Sequence, residues 1–183
     1  LDGAKLAAQI QSPRLSSQGK SYPVEISHFP VRKDETLNNQ CKRAIEQALQ
    51  QHPGDVLVFL PGRREIQAIQ KLLEPLAESS VTLPSVRVVI DSGLAREPRF
   101  DPNSGFSRLD LVTISQASAD QRAGRAGRVS DGFCYRLWPA SQRLEGTRRA
   151  EIQNSELTSL ALELASWGSS DLPFVDAPPI GPW

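Results

Sequence analysis

Two short, largely apolar runs limit what this chain can fold into: Val56-Leu57-Val58-Phe59-Leu60 and Val86 to Ile90, the second interrupted only by Arg87. Neither alternates with polar residues, which is the pattern of a strand covered on both faces rather than one facing water. Pro61-Gly62 ends the first run and Asp91-Ser92-Gly93 the second. Between them, from about Arg63 to Leu76, the positions Ile66, Ile69, Leu72 and Leu73 follow helical spacing. Upstream, Val24, Ile26 and Phe29 fit a short strand that stops before Pro30. From Asp34 onward, Leu37, Cys41, Ala44, Ile45, Ala48 and Leu49 recur at helical period until the His52-Pro53-Gly54 stop. Strand, helix, strand, helix is the order that builds a parallel sheet flanked by helices, an α/β fold.

The second half continues this grammar. Two extended stretches between Leu94 and Ile114 are joined by Asp101-Pro102-Asn103-Ser104-Gly105, a turn signal that predicts a projecting antiparallel β-hairpin. Ser118 or Asp120 can cap a short helix running through Ala126. Gly132 to Trp138 predicts a further strand. At the other end, Leu1 to Ile10 reads as a helix with Asp2 as its cap, followed by a polar linker to Ser21. Leu157, Leu160, Ala161, Leu164 and Ala165 make one helical face before Trp167-Gly168. That face has no partner within its own length, so the region reads as part of a second module. The close, with Pro173, Pro178, Pro179 and Pro182, reads as irregular chain.

The 183 residues carry 21 basic and 21 acidic side chains, which argues against a generally basic nucleic-acid binder. The balance hides an asymmetry. Residues 87–149 hold 11 arginines against 7 acidic residues, whereas residues 150–183 hold 5 acidic residues and no base. Every cation after Lys71 is an arginine, the side chain suited to planar, bidentate phosphate contacts. No apolar run approaches the ~20 residues that span a bilayer, and no basic-then-apolar signal segment opens the chain. Cys41 and Cys134 form neither a disulfide framework nor a zinc pattern and read as reduced core thiols, so a cytoplasmic protein without a membrane partner is expected.

The chemistry is concentrated in Gln121-Arg122-Ala123-Gly124-Arg125-Ala126-Gly127-Arg128. On a helix, arginines at i, i+3 and i+6 step by about 60° each and span about 120° at 100° per residue. That much like charge on one face calls for an anion to offset it. Gly124 and Gly127 weaken a helix, and the absence of side chains there lets a flat ligand or another domain come close. A solvated charged face is the alternative reading; the residue types favour phosphate binding. No metal-ligand cluster is expected. Gly19-Lys20-Ser21 looks like the end of a P-loop, but Arg14 occupies the position of the earlier glycine and Pro23 comes where a helix must start.

Gln121 to Arg128 resembles motif VI, QRxGRxGR, of superfamily 2 helicases, and of their DEAH-box (DEAH/RHA) group in particular. Other stretches agree in order. Leu57 to Gly62 is similar to motif IV, Glu78-Ser79-Ser80-Val81-Thr82-Leu83 to the latter part of motif V, and Val89 to Gly93 to the strand just after it. Residues 94–114 resemble the β-hairpin of that group's second motor domain. Leu1-Asp2-Gly3 resembles the segment just after motif III, and Glu151 to Gly168 the opening of the winged-helix module. Within that group the chain resembles the bacterial HrpB-type members. The resemblance implies a RecA-like domain over residues 19–143. It implies the end of a first RecA-like domain and a linker over 1–18, and the start of a winged-helix module over 144–183.

The resemblance also implies roles for individual residues. Arg125 and Arg128 would be arginine fingers reaching the γ-phosphate of ATP bound, with Mg2+, mainly on a first domain absent from this chain. Gln121 would position the attacking water or touch the γ-phosphate; Arg122, Gly124 and Gly127 would support the nucleotide site, Arg122 through a structural ion pair. Ser79, Ser80 and Thr82 would meet the phosphates of a single strand of RNA or DNA, and Arg96, Arg99 and Arg108 on the hairpin would guide or split strands. The first RecA-like domain would act in cis. Lacking a P-loop lysine and an acidic metal motif, the chain alone is expected not to hydrolyse ATP. A non-catalytic nucleic-acid-binding scaffold and a translocase that never separates strands are the alternatives. One departure stands out. Leu72 to Ala77 runs almost directly into Glu78, where the family has a few dozen further residues including a strand, so the chain is either shortened near Ala77 or lacks residues there.

Overall fold

The computed structural model describes residues 3–15, 21–74, 86–101, 106–147, 152, 157–168 and 176. Its elements, in chain order, are α1 (Gly3–Gln9), β1 (Val24–His28), α2 (Leu37–Gln51), β2 (Asp55–Phe59), α3 (Arg63–Leu73), β3 (Val86–Asp91), β4 (Leu94–Asp101), β5 (Phe106–Thr113), α4 (Gln116–Ala123), β6 (Gly132–Arg136) and α5 (Thr158–Trp167). The chain divides into two compact units. The larger comprises Lys20–Arg96 and Leu111–Arg148; the smaller comprises Leu1–Gly19, Glu97–Asp110 and Arg149–Trp183.

The larger unit is a parallel four-stranded sheet in the order β1-β6-β3-β2, an α/β fold as the alternating periods predict. Successive residues of β3 serve opposite faces. Val88 and Ile90 join Cys41, Ala44, Ile45 and Ala48 of α2 and Ile69 of α3 in one core cluster. Val89 joins Cys134 of β6 and the small residues Ala123 and Ala126 in a second cluster on the other face. The central strand β3 is therefore covered on both faces, with Val88, Val89 and Ile90 all fully buried. β2 is not. Its residues are only half-buried, because β2 is the last strand in the described sheet order. Ile26 is 45% exposed for the same reason at the opposite edge.

Capping and one buried amide fix α2. Thr36 caps it by accepting from the Asn39 N–H at 3.3 Å. Gln40, buried, donates from Nε2 to the Phe29 carbonyl at 3.2 Å and to the Leu137 carbonyl at 3.1 Å. It thereby satisfies two chain ends where β1 and β6 leave the sheet. Cys41 and Cys134 are fully buried and free, and burial pushes both thiols up to about 12. Both should therefore stay unmodified by an aromatic disulfide reagent at pH 8 in the folded protein and react together on unfolding. Reaction of either thiol at the rate of a free peptide would show that the core opens around it.

In the smaller unit, Lys5 pairs with Asp176 at 3.2 Å and Arg108 with Asp110 at 3.1 Å. α5 ends at Gly168, whose φ of 72° closes the helix in the left-handed region. None of its residues is buried, and Leu162 and Trp167 are 66% and 72% exposed. The helix predicted from Leu157 thus forms with its apolar face unspent. No described helix is long and apolar enough to cross a membrane.

Candidate functional site

β4 and β5 form a separate two-stranded sheet, and a connection this short between paired strands makes them antiparallel. The predicted hairpin is present. Its root grows directly from the carboxyl end of β3, through Ser92 and Gly93, where open α/β sheets place their binding sites. Gly93 has φ +73°, and a Cβ there would meet the Trp138 ring at 2.6 Å, so glycine is required twice over. Ile114 N donates to Gly93 O at 2.9 Å and closes the root.

Two residues beyond β5, Ser115 caps α4, its Oγ accepting from Ser118 N at 3.2 Å. This start is earlier than Ser118 or Asp120, and the end is earlier too. α4 stops at Ala123, with Gly124 as C-cap, and residues 124–127 form a turn held by Arg125 N to Arg122 O at 3.1 Å and Ala126 N to Ala123 O at 3.0 Å. The three arginines therefore do not share one helical face. Arg122 is on the helix; Arg125 and Arg128 lie beyond it.

Their environments differ as sharply as their positions. Gln121, Arg125 and Arg128 are exposed, and no described residue forms an ion pair or hydrogen bond with the side chain of either arginine. Arg122 is tied down. Its Nη1 donates to Asp91 Oδ1 at 2.8 Å and to the Leu94 carbonyl at 3.4 Å, its Nη2 reaches that carbonyl at 3.5 Å, and its guanidinium lies 4.9 Å from the Phe59 ring centre. Asp91 is fully buried and also accepts from Gly93 N at 2.9 Å. Burial pushes its carboxyl above the ordinary range, opposed by the Gly93 N–H and by Arg122. Loss of either partner alone strands the other charge, a change that costs about 3–5 kcal/mol. A second pair lies beside it: Arg136 donates to Asp120 Oδ1 at 2.7 Å, and Gln116 Nε2 holds the same oxygen at 2.7 Å.

The two motif glycines also part company. Gly127 is buried because its neighbour is the chain leading into β1: Tyr22 N donates to Gly127 O at 2.9 Å, and a Cβ on Gly127 would overlap the Tyr22 carbonyl and lie 2.9 Å from Val24 Cγ2. Its lack of a side chain serves this domain's own packing, not the approach of a ligand. Gly124 is exposed, with only ordinary contacts around an added Cβ.

Among the hairpin arginines, Arg96 pairs with Glu65 Oε1 at 2.9 Å and joins the root to α3. Glu65's carboxyl is held below the ordinary range, first by its own backbone N–H at the start of α3 and then by Arg96. Arg99 and Arg108 are exposed, the latter paired with Asp110. Ser79, Ser80 and Thr82 lie outside the described residues, as does the junction at Ala77. Among the described residues no group of three His, Cys, Asp or Glu could hold a metal ion. Sequence reasoning missed Asp91, Asp120 and Arg136. Asp91 had a signal: a carboxylate directly after the apolar run Val88-Val89-Ile90, at the carboxyl edge of a parallel sheet.

A parallel sheet flanked by helices, with the likeness to solved structures given below, is a RecA-like α/β domain. No family model matches the chain. It is 32% identical to the ATP-dependent RNA helicase HrpB of Escherichia coli over 98% of its own length and 28% of that protein's. It is 33% identical to HrpA of the same organism over 91% of its length, 16% of HrpA. The crystal structure of E. coli HrpB superposes with a TM-score of 0.86 over 98% of the chain and 28% of HrpB. The chain is a homologue of the DEAH-box RNA helicases HrpB and HrpA, spanning little more than a quarter of the former. The HrpB alignment runs over 225 residues while taking in 98% of 183, so some tens of aligned positions have no counterpart here.

Proposed function

We propose that this chain supplies the second motor domain of an ATP-dependent RNA helicase, with Arg125 and Arg128 completing an ATP site whose other half lies on a first RecA-like domain. The observation that carries this reading is the contrast within one motif: Arg122 is locked into the fold, while Arg125 and Arg128 stand exposed with no partner among the described residues. Two exposed guanidinium groups three residues apart, without a carboxylate partner among the described residues, are suited to a polyanion brought to them, and a triphosphate fits. Placed against the γ-phosphoryl, they stabilise charge as it shifts onto the leaving oxygens, and they do so only when the two domains close. Gln121, exposed four residues before Arg125, would orient water at the same phosphoryl.

RNA is proposed as the substrate because both relatives are named RNA helicases. Arg99 and Arg108, exposed on the hairpin, offer contacts to its backbone. The test is ATP hydrolysis with and without single-stranded RNA, measured on the full-length gene product that carries this chain and on the chain alone. Stimulated turnover in the first and none in the second is expected. A full-length product that binds RNA without turning over ATP would favour a scaffold, and one that hydrolyses ATP without displacing a strand would favour a translocase.

A further inference from the structure

Between the last turn of α2 and the β1 edge of the sheet, wholly within the larger unit, lies a cavity of about 260 Å³. Small-molecule sites are mostly larger, roughly 300–1,000 Å³; this one has the size for the end of one side chain. Phe133 and Tyr135 of β6, with their cross-strand partners Glu25 and Ser27 of β1, form one side. The end of α2 forms the other. Tyr135 Oη donates to Gln51 Oε1 at 3.0 Å, so it is His52 Nε2 that carries the proton across the 2.9 Å to Tyr135 Oη. Gln47 Nε2 donates to the same Gln51 oxygen at 3.2 Å, and the His52 ring stacks on Phe133 with centres 3.7 Å apart. The hydroxyl and imidazole protons are thus engaged within the wall. Glu25 is exposed, has no ion-pair partner among the described residues, and shares the lining with no lysine or arginine. An anion finds no cation there. A guanidinium or ammonium, which donates and never accepts, suits it.

The same strand offers a backbone. β1 is the last strand of the described sheet on this side. Gly132 N donates to Pro23 O at 2.9 Å and Phe29 N to Arg136 O at 2.8 Å, so residues 23, 25, 27 and 29 turn their backbone groups toward β6. By strand alternation, Val24, Ile26 and His28 turn theirs outward, where no described strand meets them. Natural edges are commonly blunted by lysine, proline or a bulge. The five residues of β1 include neither, and their register with β6 is unbroken. We propose that β1 is a docking edge for an extended segment of another protein, which joins the sheet as a strand and sets an arginine or lysine into the cavity beside Glu25. A strand added about 4.8 Å away puts every second side chain on the cavity face, next to Glu25 and Ser27. The side chains between fall on the opposite face, beside the exposed Ile26. Backbone pairing supplies affinity, and the two faces supply selectivity. The recognised pattern is therefore apolar, basic, apolar, within a stretch the length of β1.

The test is fluorescence anisotropy of a labelled peptide with the central sequence Thr-Val-Arg-Val-Thr, titrated with the full-length gene product that carries this chain. Saturable binding is expected. Replacing the peptide's arginine by citrulline, its neutral counterpart, should raise Kd by about tenfold or more, as should Glu25→Gln in the protein. Glu25→Lys should reverse the preference, so that a peptide with glutamate at the centre binds better than the arginine peptide. Glu25 is exposed, so neither variant puts the fold at risk, and the citrulline peptide reads the same contact with no variant at all. Two further peptides, N-methylated on opposite sets of alternate amides, test the strand itself. Only one set faces β1, so one peptide should lose binding and the other keep it. Absence of saturable binding, equal binding of the arginine and citrulline peptides, or equal binding of the two methylated peptides would each overturn the proposal. So would agmatine, a free guanidinium, competing as tightly as the arginine peptide binds, because the edge would then contribute nothing.

Discussion

Arg125→Ala or Arg128→Ala in the full-length protein should lower RNA-stimulated ATP turnover by roughly 10³–10⁵, the range found for arginine fingers elsewhere, and leave the fold unchanged. Both side chains are exposed and bond to nothing described, so their truncation strands no buried partner and should stay within about 0.5 kcal/mol of wild-type stability. That combination distinguishes them from Arg122. Arg122→Ala would also reduce turnover, but by leaving the Asp91 carboxylate buried without its cation, and it should melt early. Single-turnover hydrolysis and a thermal melt on the same samples separate the cases. Arg125→Ala turning over within tenfold of wild type would sink the assignment.

The second large effect is on stability and comes from a single methyl group. Gly127→Ala should destabilise by about 1–3 kcal/mol or more, because the new Cβ meets the Tyr22 carbonyl and Val24, and a backbone carbonyl cannot swing away as a side-chain end can. Gly124→Ala, three residues earlier, should be neutral or stabilising by up to about 1 kcal/mol. The backbone there is already α-helical, at φ −58° and ψ −13°, and an alanine reduces the freedom of the unfolded chain. Denaturant titration of the two variants reads the difference directly. Equal stability of Gly127→Ala and Gly124→Ala would mean that the chain before β1 does not pack as described.

These two glycines show how far the amino-acid sequence could be read. Apolar runs and helical periods located each described strand and helix to within a few residues, because burial of a periodic face is what forms them. Periodicity could not say which strand is central. β2 and β3 both read as buried strands, yet of the two only β3 has a strand on each side in the described sheet, and neighbour order is a long-range fact. The motif VI resemblance marked the right segment, but a helix drawn through it put three arginines on one face. The competing effect was the glycine at 124, which ends α4 and separates an anchored arginine from two displayed ones. Asp91 passed as a turn residue because its partner, Arg122, lies 31 residues on.

The buried residues of α4 are both alanine. Ala119, Ala123 and Ala126 are all buried, and Ala123 and Ala126 rest on Val89 and Cys134 with nothing larger between. Such a layer works as a shim. Its thickness is the smallest a side chain allows, so each added carbon can only raise the turn and never lower it. In the proposed function, the reach of Arg125 and Arg128 would therefore be set beneath them, by buried residues that carry no charge. Thickening this layer one methyl at a time would then change that reach with the arginines themselves untouched.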